Sequence, residues 1–312
     1  MTLVKDIKWI KGKKITDLVK DLSSCGFQGV ELGKATECII KMKREKAKIY
    51  LTFTSNMATS GLRGFFAQLI ELGMVDTLIT TVGSVEEDIM KAIGEDFIIG
   101  SYSADDVASH EKGMNRVGNL FIKNESYEKF EAYIKDVLKK LYEKKNRYSV
   151  SELLREIGLM LNNENSILYQ AAKKNVPIFC PAITDGAFGF HLFLFQQDHQ
   201  DFMIDVVKDF SNLIFSSTHD DKKGIIALGG GVSKHHAILG TLINGGADYA
   251  VYMTTAREYS GSMSGATTRE AKSWGKIKDN ADAVTVIGDV SVFFPLTMMA
   301  ALDVLSEEEL IK

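Results

Sequence analysis

The 312-residue sequence predicts an α/β fold: a doubly wound, mostly parallel sheet with helices on both faces. Short apolar runs ending in small or polar residues recur along the chain, and helical patterns separate them over its whole length. A hydrophobic share of 45% and a charged share of 25% supply a sizeable core. There is no low-complexity linker and no internal repeat, and none of the three prolines marks a boundary, so one domain over 1–312 is expected.

The first strand is KIYLTFTSN (48–56), followed by a helical pattern over 57–74. VDTLITTVGS (75–84) is the second, with a helix over 85–94, and three helical patterns follow at 126–145, 150–161 and 165–174. VPIFCPAITDG (176–186) is a strand, 201–214 a helix, GIIALGGG (224–231) a strand and 232–243 a helix. ADYAVYMTTA (247–256) and AVTVIGDVS (283–291) complete the strands, and 291–304 closes the chain as a helix.

In such sheets ligands bind beyond the carboxyl ends of strands, beside helix N-termini. Here those ends read TSN, TTVGS, TDG, GGG, TTA and GDVS. Hydroxyl, amide and carboxylate groups, with glycines that let a phosphate approach the backbone, point to a dinucleotide. Ordinary turn chemistry uses the same residues and is the alternative. The GxGxxG fingerprint is absent, since GGGVSK puts Lys234 in place of its third glycine.

A net charge of −4 argues against bulk binding to nucleic acid or anionic membranes. No uninterrupted apolar run reaches 18 residues, so no membrane span is expected, and MTLVKDIKWIKGKK lacks the apolar core of a signal peptide. Cys25, Cys38 and Cys180 are odd in number and widely spaced, which suggests neither a disulfide framework nor a zinc site. A soluble cytoplasmic protein with free thiols is expected.

The candidate for chemistry is Lys276, in SGSMSGATTREAKSWGKIK (260–278). A solvated lysine is protonated at neutral pH and useless as a nucleophile. An apolar wall or a nearby cation frees the amine for imine chemistry. Trp274 offers such a wall, or a cation–π plate for an amine, and Glu270 shares its face if the stretch is helical. His235 and His236 follow the triple glycine; adjacent side chains diverge, so one suits a general base and the other packing. Glu86, Glu87 and Asp88 stand at a helix start, where the helix dipole alone favours acids unless a cationic ligand lies near.

LGGGVSKHH, NGGADYAVYMTTAREYSGSMSGATTREAKSWGKIK and GDVSVFFPL resemble the deoxyhypusine synthase family. So do LTFTSNMATSGLRG, VDTLITTVGSVEEDIMK, GMNRVGNLFIKNESYEKFE and CPAITDGAFG, in the family's order; the likeness runs over about 50–304, with 1–45 weakly matched. The resemblance implies a Rossmann-like fold, a cytoplasmic homotetramer with NAD at sites shared between subunits, and neither nucleic acid nor membrane as a partner. The implied reaction moves the aminobutyl group of spermidine, through an imine on an enzyme lysine, to one lysine of a translation initiation factor.

Carried over by position, the resemblance makes Lys276 the covalent lysine, Trp274 the indole along the polyamine, Glu270 an amine anchor and His235 the proton acceptor. It assigns NAD to Ser55, Asn56, Met57, Ala58, Thr59, Thr81, Val82, Gly83, Glu87, Asp185, Gly230, Thr255, Ala256, Asp289 and Val290. Glu86, Gly261 and Ser262 fall in its amine pocket. Where eukaryotic members carry aspartate, this chain has Met263, Phe190 and Ser260, and where they carry asparagine it has Leu239. The same motifs are compatible with a homospermidine-synthase-like transferase that uses a small amine as acceptor. A subunit of a paralogous hetero-oligomer is a further alternative, against which the retained SWGK speaks.

Overall fold

The computed structural model describes residues 3–311, and the chain divides into two units. The first is Met1–Phe53, Leu72–Ile79 and Asn212–Lys312. Five strands of a six-stranded sheet belong to it, in the order Ile277–Ile287, Ala247–Thr254, Lys223–Leu228, Lys48–Thr52, Thr77–Ile79. Each neighbouring pair is parallel. Lys223–Leu228 is buried at every position and Ala247–Thr254 at all but one, which is why these strands read as continuous apolar runs rather than alternating ones. The register sets Thr254 opposite Ile287 and Met253 opposite Leu228, so three strand ends lie level, side by side.

Helices flank this sheet. Gly231–Leu242 packs along all five of these strands, and Phe27–Arg44 along Ile277–Ile287 and Ala247–Thr254. Val290–Glu307 is long and apolar enough to cross a membrane by length and composition, which the absence of an 18-residue uninterrupted run had excluded. Its Phe294, Met298, Ala301 and Leu305 are buried, and it packs on Phe27–Arg44 and Ile15–Leu22, as a core helix does.

The second unit is Thr54–Glu71 and Thr80–Ser211. The helices Ser55–Thr59 and Val82–Ala92 pack together, as do Val150–Leu161 and Ile167–Lys174. Asp88 is fully buried and pairs with Arg63 at 2.6 Å. It also accepts from the Ser166 hydroxyl and the backbone N–H groups of Ile167 and Leu168, which are orphan donors at a helix start. Asp88 is therefore a structural acid.

The parallel strands lie where expected, but their ends are shorter. TSN opens the helix Ser55–Thr59 instead of closing a strand, and Thr81 is the N-cap of Val82–Ala92. Ile277–Ile287 starts six residues before the expected 283, because its polar first half is an exposed edge that lacks an apolar signature. Features not anticipated include the helices Ile15–Leu22, Phe27–Arg44, Asp106–Glu111 and Ala187–Asp198, an antiparallel sheet of Ile98–Ile99, Leu120–Lys123 and Met114–Val117, and the pair Arg147–Tyr148 and Met203–Ile204.

Candidate active site

Lys276 is placed by a helix ending. Thr267 caps the helix Thr268–Ser273, its hydroxyl accepting from the Glu270 N–H. At the other end Gly275 N–H donates to Lys272 C=O and Lys276 N–H to Ala271 C=O, a Schellman closure with Trp274 as C-cap. Gly275 takes φ +67°, the left-handed conformation this closure demands and which a side chain disfavours. The chain then enters the strand Ile277–Ile287, and the Lys276 side chain is left 7% exposed. Its Nζ lies 5.0 Å from the centre of the Trp274 ring.

A cavity of about 210 Å³ holds that amine. Glu270 and Trp274 line it from the short helix, as their spacing requires, with His235 and Ile238 from Gly231–Leu242. His235 is held below its ordinary value by burial and then by the neighbouring Lys276, so the imidazole is neutral at pH 7 and able to take a proton. His236 does not line the cavity; burial and His235 hold it down at about 4.

Three further groups complete the cavity. Lys234 is 1% exposed; its Nζ donates to the carbonyls of Ala266 at 2.6 Å and Met263 at 3.0 Å, and lies 4.2 Å over the Tyr252 ring. Burial pushes it down to about 8, against the pull of Glu270. The Tyr252 hydroxyl is buried without a partner, and Met263 supplies an apolar wall. The sequence reading had used Lys234 only to reject a glycine motif and had not singled out Tyr252. Its signal was hidden in a strand buried on both faces, whereas Lys234 and Ile238 stand four residues apart on one helix face. Among the described residues, the one carboxylate lining the cavity is Glu270.

Around this cavity lie the other residues assigned in this unit. Gly230 caps Gly231–Leu242, and a Cβ there would meet the Ser264 backbone at 2.2 Å, so the triple glycine lets the 263–266 segment cross closely. Thr255 and Ala256 follow one strand end, and Asp289 and Val290 the next. Asp289 is the N-cap of Val290–Glu307, accepting from Ser291 N–H and hydroxyl through one oxygen. Gly261 and Ser262 lie outside the cavity wall, on an exposed turn, and Leu239 does not line it. A larger depression, about 540 Å³, lies beside the same short helix, lined by Arg257, Arg269 and Lys272. Its charged groups are not buried, unlike Lys234 and Lys276 of the smaller one.

The second unit gathers the remaining residues. A Cβ on Gly83 would sit 2.8 Å from Ser55 Cβ, so the starts of Ser55–Thr59 and Val82–Ala92 touch. The Thr81 hydroxyl there is buried without a partner, while Asn56 accepts from the Thr54 hydroxyl. Met57, Ala58 and Val82 are core residues whose side chains pack inward. Glu87 is pushed up to about 7 by burial, against a hydrogen bond from Thr59 at 2.5 Å. Glu86, also raised by burial, accepts from Phe188 N–H at 2.8 Å at the start of Ala187–Asp198. Asp185 is exposed just before that helix.

A family model described as deoxyhypusine synthase matches residues 17–301. The chain belongs to the deoxyhypusine synthase family. That match starts earlier than the motif-bearing stretch and runs through both units. A deoxyhypusine synthase of Kluyveromyces lactis is 36% identical over 329 residues, covering 91% of this chain and 86% of its own. A relative bearing the same family name in Thermoplasma acidophilum is 39% identical over 300 residues, covering 95% and 96%. A crystal structure from Entamoeba histolytica, described under that name, superposes with a TM-score of 0.71 at 30% identity, over 96% of this chain and 97% of its own. Deoxyhypusine synthases are transferases, and the fold described above is shared with the solved member.

Proposed function

We propose that the chain is a cytoplasmic deoxyhypusine synthase that uses NAD to move the 4-aminobutyl group of spermidine onto a lysine of a translation initiation factor. The observation that carries this is the Lys276 amine, buried over the Trp274 ring in a cavity shared with Glu270 and His235. An amine that must accept and pass on an alkyl imine needs an aromatic wall and shelter from water; the Trp274 ring supplies the first, and Lys276 is itself only 7% exposed.

The residues that family resemblance assigns to NAD suit a dinucleotide. The partnerless Thr81 hydroxyl and the close approach of Gly83 to Ser55 leave polar backbone open to a ligand. Bound NAD supplies the acceptor, and later the donor, of a hydride. The chain's own residues do the rest. Glu270 holds a terminal ammonium, the Trp274 face lies along the methylene chain, and a ring nitrogen of His235 takes the proton of the reacting nitrogen. Lys276 Nζ then attacks the aminobutyl imine carbon, the bond to the donor nitrogen breaks and 1,3-diaminopropane leaves. The group stays as an imine on Lys276 until the acceptor lysine amine displaces Lys276.

A homotetramer is part of this proposal. Phe190, Phe193 and Leu194 are exposed on Ala187–Asp198, a helix apolar on all sides, and such helices are covered in the working molecule. The deciding experiment incubates the protein with NAD, spermidine and the initiation factor, then weighs the factor by mass spectrometry. An aminobutyl increment on one lysine supports the proposal. An increment only on added putrescine instead assigns the small-amine transferase.

A further inference from the structure

Among the described residues, two lysines face the cavity, Lys234 and Lys276, with Glu270 as the one carboxylate and His235 and Tyr252 as the other titratable groups. Lys234 differs from Lys276 in having its N–H donors committed, to two backbone carbonyls, with an aromatic ring beneath. It is a fixed charge rather than a free amine, and at pH 7 it remains mainly an ammonium. We propose that Lys234 is a built-in cation that forces the bound donor amine to give up its proton, so that the cavity selects and holds the reacting nitrogen in its neutral form.

The chemistry requires such a device. A carbon beside nitrogen releases hydride only when the nitrogen lone pair is available to form the C=N bond, and an ammonium has none. Polyamine nitrogens are protonated in water at pH 7, so the proton must be removed after binding. A like charge in a desolvated cavity favours the uncharged form. The step moves one proton from the donor nitrogen to a ring nitrogen of His235, which is only partly buried and passes it on to solvent; no other bond changes. His235 is neutral and lines the same cavity, and is thus ready to receive it. A second feature points the same way. The Tyr252 hydroxyl, buried and partnerless, is able to donate to a nitrogen lone pair only if the nitrogen is neutral. Burial pushes that phenol well above its ordinary value, so it stays a donor.

This inference rests on the amine-transfer reading of the site, and the test separates the two. The full-length protein is titrated with spermidine by calorimetry at pH 7.5 in buffers of different ionisation enthalpy, with NADH present so that no hydride is taken. The slope of heat against buffer enthalpy counts protons released. Wild type is expected to release a proton on binding. Lys234→Met should bind at least as tightly yet lose most of that release, and Lys234→Arg should restore it. In turnover, Lys234→Met should lower kcat at least tenfold, shift the acid limb of the rate to higher pH, and leave KM unraised; a merely structural clamp would raise KM instead. Wild-type binding without proton release overturns the inference whether or not Lys234→Met folds, as does unchanged release in that variant. Failure of wild type to bind spermidine overturns the amine-transfer reading itself, and this inference with it.

Discussion

Lys276 is a buried amine with one defined wall, and the sharpest test acts on that atom. Lys276→Arg keeps the charge but presents a guanidinium that stays protonated and cannot form an imine. Transfer to the acceptor should fall at least a thousandfold, while spermidine-dependent NAD reduction survives. Borohydride trapping with labelled spermidine should mark Lys276 in wild type; label on Lys234 would overturn the assignment. Met263 gives a second test, since it leaves the amine only Glu270. Met263→Asp should lower the KM for spermidine about tenfold, the effect of roughly 1.4 kcal/mol of ammonium–carboxylate attraction. Glu87 gives a third. With its carboxyl raised to about 7, the native state keeps a proton that the unfolded chain loses near pH 4.5. Stability therefore falls as pH rises through that window, and the cost is complete above 7. In the protein without ligand, Glu87→Gln should raise stability by about 2 kcal/mol at pH 8 and leave it unchanged at pH 4, read from denaturant melts at both values.

The short helix Thr268–Ser273 and the strand ends around it turn these side chains into a site. Gly275→Ala puts a Cβ on a left-handed residue at a cost of about 1 kcal/mol, and tips the lysine out of register. It should depress kcat far more than it depresses Tm, checked by kinetics and calorimetry together. Asp289 needs a more careful substitution, because it caps Val290–Glu307 as well as closing a strand end. Asp289→Ser keeps a capping oxygen and removes the carboxylate. It should weaken NAD binding more than Glu270→Ala does, by calorimetry, without lowering Tm. Much of this was legible in advance: the Trp-Gly-Lys closure and the Glu270–Trp274 spacing are local signals that need no tertiary information. Phe27–Arg44 was not legible, because its buried residues Leu32, Ala35, Cys38, Ile39, Ile40 and Met42 are interleaved with charges and make no clean stripe. Ala187–Asp198 failed for the opposite reason, being apolar on every side, and its glycine-rich start resembled a loop.

For the whole chain, the parallel order of the first unit was readable because buried strands and helices alternate along it. The antiparallel sheet of Ile98–Ile99, Leu120–Lys123 and Met114–Val117 was not, since its strands are two to four residues long and half exposed. Assembly is the remaining property of the whole molecule. Sedimentation at working concentration should give a tetramer, and Phe193→Asp with Leu194→Asp should dissociate it, because charge on a covered apolar face is costly to bury. A wild-type monomer with full activity would end the tetramer proposal.

The nucleophile's position is carried by main-chain hydrogen bonds of a helix ending, and the side chains around it contribute little to holding it there. Such a site has high evolvability. Met263 and Ile238 are open to diversification without moving Lys276. A library restricted to those positions should therefore yield a larger share of active variants than one spread over Thr267–Gly275. The same imine chemistry becomes a starting point for directed evolution toward amine donors of other lengths and charges.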